Sequence, residues 1–312
     1  MSSIARRCGL QREREGGLRG VFTAVLTPLD EHLDPDHEAF VRHCLRLLDA
    51  GCHGVSVFGT TGEGNSFSVA EREEALEALV EGGVPGERLL PGTGSCSLTD
   101  AVRLCEKALG VGAGGVLVLP PFYYKDAGDE GLFRFFAELV ERVGDERLRV
   151  YLYHIPQVSG VGLSLELMRR LHEAYPQTIV GTKDSEGRWE RIERTCRELD
   201  GFEVFAGSEE FLLRTLRAGG VGCISASANL NSRLARRVYD LHEAGEDAEG
   251  AQRDLDALRK AMEGYPTIPA LKALLHRATG EEGWTRLRPP LLPLGEREER
   301  ELASGVPVEE LL

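Results

Sequence analysis

The stretch TIVGTKDSEG, residues 178–187, sets Lys183 at the end of an apolar, β-branched run. A strand covered on both faces reads as a near-continuous hydrophobic run, and Thr178-Ile179-Val180 has that character. A lysine just past such a strand can snorkel to water. Kept poor in solvent, the same amine can react. A free lysine, with a pKa of ~10.4, is only about one part in 10³–10⁴ neutral at pH 7. Taking it out of water disfavours the ammonium and releases a nucleophile. Such an amine attacks a ketone, loses water and becomes a protonated imine, which serves as an electron sink. If the ketone belongs to a 2-oxo acid, the carboxylate must also be held. The turn GTTGEG, residues 59–64, offers backbone N–H groups and the hydroxyls of Thr60 and Thr61 without adding a permanent positive charge. Protons must then pass among carbinolamine, imine and alkoxide, which a chain of phenols and hydroxyls can carry.

These residues can converge only if the chain places them at one face. Short apolar segments alternate with amphipathic ones eight times. Strands are predicted at 21–26, 54–58, 89–92, 115–119, 149–154, 178–182, 202–206 and 220–224. Helical patterns lie between and after them, at 36–50, 69–81, 98–109, 130–143, 165–174, 188–199, 210–218 and 232–243. In SVAEREEALEALV, Ser68 is an N-cap candidate with Glu71 three places on, and Leu76, Leu79 and Val80 recur at helical spacing. Strict alternation implies parallel strands joined by right-handed crossovers. Eight units point to an α/β fold, a closed (β/α)₈ TIM barrel; a doubly wound open sheet is the alternative. After residue 243 the alternation stops, and helices around 251–263, 268–278 and 296–304 follow. The expected organisation is a polar, frayed tail at 1–19, a catalytic barrel at 20–245, and a C-terminal helical extension at 246–312 packed on it.

A barrel of this kind builds its site where the strands end. The second strand leads into Thr60, Thr61 and Glu63. PPFYYK follows the fourth with Tyr123, Tyr124 and Lys125, and YHIPQVSG closes the fifth with Tyr153 and His154. The sixth ends at Lys183, Asp184 and Ser185. The seventh gives AGSEE, with Gly207, Ser208, Glu209 and Glu210, and the eighth gives ISASAN, with Ile224 and Ser225. Several of these have bland readings. Tyr151 or Tyr153 could be core, Tyr123 and Tyr124 could be a packed loop pair, and Glu63 could tie down its loop. The tandem acids Glu209-Glu210 suit a solvated helix start.

Composition narrows the partners. The chain has 312 residues, 42 % hydrophobic and 28 % charged, as in an ordinary globular protein. Its formal charge of −14 and lack of a basic run argue against nucleic acid and anionic membranes. No run approaches the roughly 18 apolar residues of a membrane span. The first twenty residues lack an apolar secretory core. Seven cysteines without CxxC spacing fit a reducing cytoplasm. Nothing in the sequence asks for a metal or a cofactor. GVGAGGV, residues 110–116, has a dinucleotide-like look, but it ends a helix and precedes a strand, the reverse of the required order. A phosphate-binding barrel would place a Gly-rich anion site where AGSEE brings two acids.

The ordered set GTTGE, PPFYYK, YHIP…SG, GTKDS and GS resembles the dihydrodipicolinate synthase / N-acetylneuraminate lyase family over roughly residues 20–300. These are class I, Schiff-base, pyruvate-dependent lyases on (β/α)₈ barrels with a C-terminal helical extension. The resemblance implies that Lys183 forms the imine and that Tyr153 shuttles protons over it. It also implies that Thr60 links Tyr153 to a second tyrosine, here Tyr123, reaching in from a neighbouring subunit of a homodimer or homotetramer. Thr61 would hold the pyruvate carboxylate, and the backbone at Gly207 and Ile224 would line the pyruvate pocket.

The synthase branch carries an arginine five residues after the strand-five tyrosine, where it binds a substrate carboxylate. Val158 stands there in this chain. An apolar side chain cannot replace a bidentate carboxylate clamp. The expected reaction is therefore aldol cleavage or formation of a 4-hydroxy-2-oxo acid, such as a 2-keto-3-deoxy sugar acid, a sialate-like acid or 4-hydroxy-2-oxoglutarate. Pyruvate and a small aldehyde would be the partners, with Ser185, Ser208, Glu209 and Ser225 holding hydroxyls of the aldehyde half. The synthase of lysine biosynthesis, and a keto-deoxy sugar acid dehydratase using the same imine, are the alternatives.

Overall fold

The computed structural model describes residues 17–306. Seven strands are present: β1 (Gly20–Ala24), β2 (Gly54–Ser56), β3 (Val116–Val118), β4 (Val150–His154), β5 (Ile179–Asp184), β6 (Glu203–Ala206) and β7 (Gly222–Ser225). They form one parallel sheet in the order β2-β1-β7-β6-β5-β4-β3. Residues 89–92 close it into a (β/α)₈ barrel. Leu89 bridges Val55 on one side and Gly92 bridges Leu117 on the other. The N–H groups of Leu90 and Gly92 donate toward the β2 side, at 2.9 and 2.8 Å, and that of Thr93 toward the β3 side at 2.9 Å. Pro91 stands where the preceding donor toward β3 should be and has no N–H, so this segment falls short of a full ladder.

The helices are α1 (His37–Asp49), α2 (Val69–Glu81), α3 (Leu98–Gly110), α4 (Asp129–Val143), the short α5 (Pro156–Ser159), α6 (Leu165–Ala174), α7 (Trp189–Glu198), α8 (Leu212–Arg217), α9 (Ala228–Glu243), α10 (Glu249–Ala261), α11 (Thr267–Thr279) and α12 (Glu296–Gly305). Helix α2 carries the capping box foreseen from its sequence, with Ser68 and Glu71 each satisfying the other's backbone N–H. Helix α9 starts four residues earlier than its periodicity suggested and is kinked at Asn231, whose side chain bonds to Glu209.

Inside the barrel, Phe22, Leu90, Leu117, Tyr151, Phe205 and Ile224 pack on one another. A larger apolar layer separates the strands from α1–α9. Residues 1–16 of the expected tail lie outside the described residues. Residues 17–19 correct it, because Leu18 is seated: its N–H donates to the Tyr151 phenol at 3.1 Å and its side chain packs on the interior cluster.

Beyond β7, α10–α12 have their own apolar seam, in which Leu258, Leu271, Leu274, Trp284 and Leu302 meet Leu26 and Leu230. Two cations fasten this seam to the strand-end face. The buried Lys272 ammonium stands 2.5 Å from Glu63 and donates to the Arg286 carbonyl at 2.8 Å. Arg288 bonds to the carbonyls of Leu33 and Ser66 and pairs with Asp34 and Glu71. Glu63 is thus the loop tie anticipated from its place between two glycines, and the extension becomes a roof over the strand ends.

Candidate active site

Strand register decides which side chains face inward. Val150 pairs with Ile179, but Tyr151 pairs with Gly181, so Val180 is the extra residue of a β-bulge. From there Tyr153 stands beside Lys183 and His154 beside Asp184. Alternation then turns Lys183 and Tyr153 into the barrel, and His154 and Asp184 toward the helices. On the other side of β5, Gly181 permits the close approach of β6, since a Cβ there would lie 2.2 Å from the Glu203 carbonyl oxygen.

Lys183 is only 3 % exposed. Its Nζ lies 3.4 Å from Tyr153 Oη and 4.4 Å from the centre of that ring. Tyr153 Oη in turn is 3.2 Å from Thr60 Oγ1. Amine, phenol and hydroxyl therefore form a continuous chain from three strand ends. Lys125, a further lysine near this face, is already engaged, donating to the carbonyls of Phe122 and Ser159.

The turn carrying Thr60 is held under backbone strain. Phe58 and Glu63 both adopt positive φ, at 55° each. Two of its three glycines are forced by crowding: a Cβ on Gly64 would sit 1.9 Å from the Phe58 carbonyl oxygen, and one on Gly62 would sit 2.7 Å from that of Val25. The turn closes through Glu63 N–H to Thr60 O (3.1 Å) and Gly64 N–H to Gly59 O (3.0 Å). Among the described residues the amides of Thr60 and Thr61 keep no internal partner, which leaves two donors for an anion.

Thr60, Thr61, Tyr153, Val158, Lys183, Ser185 and Gly207 share one cavity of about 820 Å³. A Cβ on Gly207 would crowd Ser185, falling 2.7 Å from its Cα as well as 2.0 Å from its rotatable Oγ. Val158 is 62 % exposed on the wall.

Other expected site residues lie elsewhere. The Ile224 side chain packs in the barrel's interior apolar cluster. Ser208 caps the turn of helix at Glu209–Phe211, its Oγ accepting from Glu210 N–H at 3.3 Å. Glu209 and Ser225 are corrections. Glu209 is 0 % exposed, neither a solvated helix start nor a substrate contact. It accepts from the hydroxyls of Ser225 and Ser227, from Asn231 Nδ2 at 3.2 Å and from Arg259 at 3.3 Å. The hydroxyls of Ser225 and Ser227 are committed to the Glu209 carboxylate because a buried carboxylate must be satisfied. Tyr123 is 73 % exposed and packs edge-on against Tyr124, so the chain's own fold does not bring it to Lys183.

On the helix side of β4 and β5, His154, Asp184 and Glu186 approach within 4.8 Å of one another. Arg191 holds the place of a cation there, with Nε 2.9 Å from Asp184 and 3.6 Å from Glu186. Burial, and then the Arg191 charge, push the His154 pKa down to about 4. Burial raises that of Asp184 against the pull of Arg191.

Sequence reasoning missed the roof. Arg259, Met262, Tyr265, Ile268 and Leu291 line the same cavity from the C-terminal extension. No local pattern marks them, since they reach the site only through the packing of α10–α12.

Comparison with known proteins accords with this geometry. The dihydrodipicolinate synthetase family model matches residues 17–307. A protein named uncharacterized DapA-like lyase from Chloroflexus aurantiacus is 38 % identical, covering 90 % of this chain and 93 % of its own. A 4-hydroxy-tetrahydrodipicolinate synthase from Rhizobium meliloti is 35 % identical, covering 88 % and 92 %. The crystal structure of dihydrodipicolinate synthase from Agrobacterium tumefaciens aligns with a TM-score of 0.85 at 32 % identity, covering 95 % of this chain and all of that one.

Proposed function

The chain belongs to the dihydrodipicolinate synthetase family and is a lyase of that family, and from this premise we propose that it is a class I aldolase that reversibly cleaves a 4-hydroxy-2-oxo acid to pyruvate and an aldehyde. The observation that carries the reading is the buried amine–phenol–hydroxyl chain Lys183–Tyr153–Thr60 opening onto a cavity. In the condensing direction, Lys183 Nζ attacks the pyruvate carbonyl carbon. Tyr153 protonates the departing carbinolamine oxygen, water leaves, and an imine remains. The free amides of Thr60 and Thr61, with the Thr61 hydroxyl, hold the carboxylate. Loss of a proton from the methyl carbon gives the enamine, which adds to the aldehyde. Tyr123, exposed on each chain, completes the tyrosine–threonine relay of a neighbouring copy, so the reading calls for a homodimer or homotetramer.

Dihydrodipicolinate synthesis is the second reading, favoured by the Rhizobium meliloti relative. Val158 weighs against it, because no guanidinium stands where that substrate's carboxylate would be gripped. Dehydration of a keto-deoxy sugar acid would use the same imine.

Incubation with pyruvate and borohydride tests the proposal. A reduced pyruvyl group on the peptide bearing Lys183, read by mass, is the expected result. No adduct, or one on Lys125, overturns the mechanism.

A further inference from the structure

Resting on the imine reading above, we infer that the aldehyde half of the substrate is apolar, an aromatic or branched-alkyl aldehyde, and neither polyhydroxylated nor carboxylated. The cavity has two ends of different chemistry. Around Lys183 stand Thr61, Ser185 and Gly207, which suit the small polar acid. Away from it the wall is Ile155 and Val158 after β4, then Met262, Ile268, Leu291 and Leu292 from the roof. Val158 and Leu292 leave 62 % and 75 % of their surface uncovered, apolar area that a nonpolar group would remove from water.

Most polar side chains on that wall are already taken, and the Tyr265 and Thr267 hydroxyls of the roof are the exceptions. The Ser227 hydroxyl and the Arg259 guanidinium both go to Glu209. The Gln157 amide donates to the Ser185 carbonyl at 2.5 Å. Beyond those two hydroxyls, a row of sugar hydroxyls would have to break these bonds or lose its own to water without replacement. A second carboxylate fares no better. Arg259 is the cation of the outer wall, its charge is matched by Glu209, and Glu263 and Glu298 add negative charge to the rim. The apolar segments are also stiff: GYPTIPA (264–270) and RPPLLPLG (288–295) carry prolines at 266, 269, 289, 290 and 293. Their fixed φ favours a preformed wall over one that adapts to a polar guest.

The chemistry balances without an oxidant or reductant. The enamine carbon derived from the pyruvate methyl bonds to the aldehyde carbonyl carbon, and that oxygen takes a proton. Water then hydrolyses the imine, freeing Lys183 and a 4-hydroxy-2-oxo acid whose outer substituent lies against the apolar wall.

The full chain supplied with pyruvate and, in turn, benzaldehyde, isobutyraldehyde, glyceraldehyde, glyoxylate and aspartate semialdehyde tests the inference through kcat/KM. One of the first two should exceed each of the last three by about 10- to 100-fold. Val158→Arg should narrow that gap by about tenfold or more. Borohydride trapping of pyruvate in the same variant reports whether the barrel is folded and the imine forms. Equal or better turnover of glyceraldehyde, glyoxylate or aspartate semialdehyde overturns the inference. So does failure of both apolar aldehydes while the pyruvate adduct forms. Failure of the adduct itself in the unsubstituted chain strikes the aldolase reading instead.

Discussion

Two polar groups occupy strand ends of the same barrel, built from similar residue types. At the ends of β2, β4 and β5, Thr60, Tyr153 and Lys183 are joined by contacts of 3.2 and 3.4 Å and face a cavity. At the ends of β6 and β7, Glu209 gathers Ser225, Ser227, Asn231 and Arg259, and its backbone carbonyl accepts from Gln252 at 3.0 Å. In the second group the carboxylate is sealed from solvent and its oxygens accept from four side chains, with only Arg259 Nε and Asn231 Oδ1 left unpartnered. In the first, an amine and two hydroxyl groups keep unused hydrogen-bonding capacity next to open space. Satisfied burial marks a structural network. Spare capacity facing a cavity marks a place where a ligand can complete the bonding. Residue type alone does not separate the two.

The comparison can be broken by substitution. Lys183→Met should reduce turnover to background and abolish the pyruvate adduct while the melting temperature stays close to that of the unsubstituted chain, because methionine fills similar space without an amine. A large loss of stability there would place Lys183 with the structural network. Tyr153→Phe should lower kcat by about 10²-fold or more while the adduct still forms, more slowly. An unchanged rate would reduce the phenol to packing. Glu209→Gln should do the opposite of both. Removing the charge leaves Arg259 and two hydroxyls imperfectly matched, at a cost of about 2 kcal/mol, kept modest because Arg259 is partly exposed. Urea unfolding should show that loss while trapping at Lys183 persists. If Glu209→Gln abolished trapping at undiminished stability, the boundary between the two groups would be misplaced.

What the sequence disclosed follows from which interactions are local. The capping box at Ser68 and Glu71 and the span of α2 rest on spacing within a few residues, whereas the pairing of Lys183 with Tyr153 follows only from the family resemblance, since alternation alone leaves Tyr151 and Tyr153 open. The third extended segment was legible as apolar sequence, but Pro91 removes the donor that would have made it a formal strand. Glu209 was illegible for a different reason. Its partners Asn231, Gln252 and Arg259 lie 22, 43 and 50 residues further on, and a Glu-Glu pair at a helix start looks solvated until those arrive. The cavity's outer wall has the same origin, since it exists only where α10–α12 fold back over the strand ends. Residue type and position therefore point Ser225 and Glu209 toward substrate, although tertiary packing uses them elsewhere.

A further effect separates fold from site through pH. Burial, reinforced by the neighbouring Arg46 charge, depresses the His43 pKa from its usual 6.5 to about 3, against the upward pull of its bond to Asn229. Burial and Arg236 likewise lower His53 to about 4. Each histidine is held neutral in the fold, and neither lines the cavity of Lys183. Below pH 6.5 the unfolded chain binds protons that the folded chain refuses. Their stabilisation is therefore complete above that pH and drains away as pH falls toward 3–4. For His43 the loss amounts to roughly 2.5 kcal/mol between pH 7 and 4.5. His43→Gln, which keeps a donor for Asn229, should flatten the decline in the urea midpoint between pH 7 and 4.5 by that amount. Lys183 should remain trappable by pyruvate in whatever fraction stays folded. An undiminished slope in the variant would shift the acid sensitivity to His53, His154 or the carboxylates, whereas a change in trapping at full folding would show that the two regions are not independent.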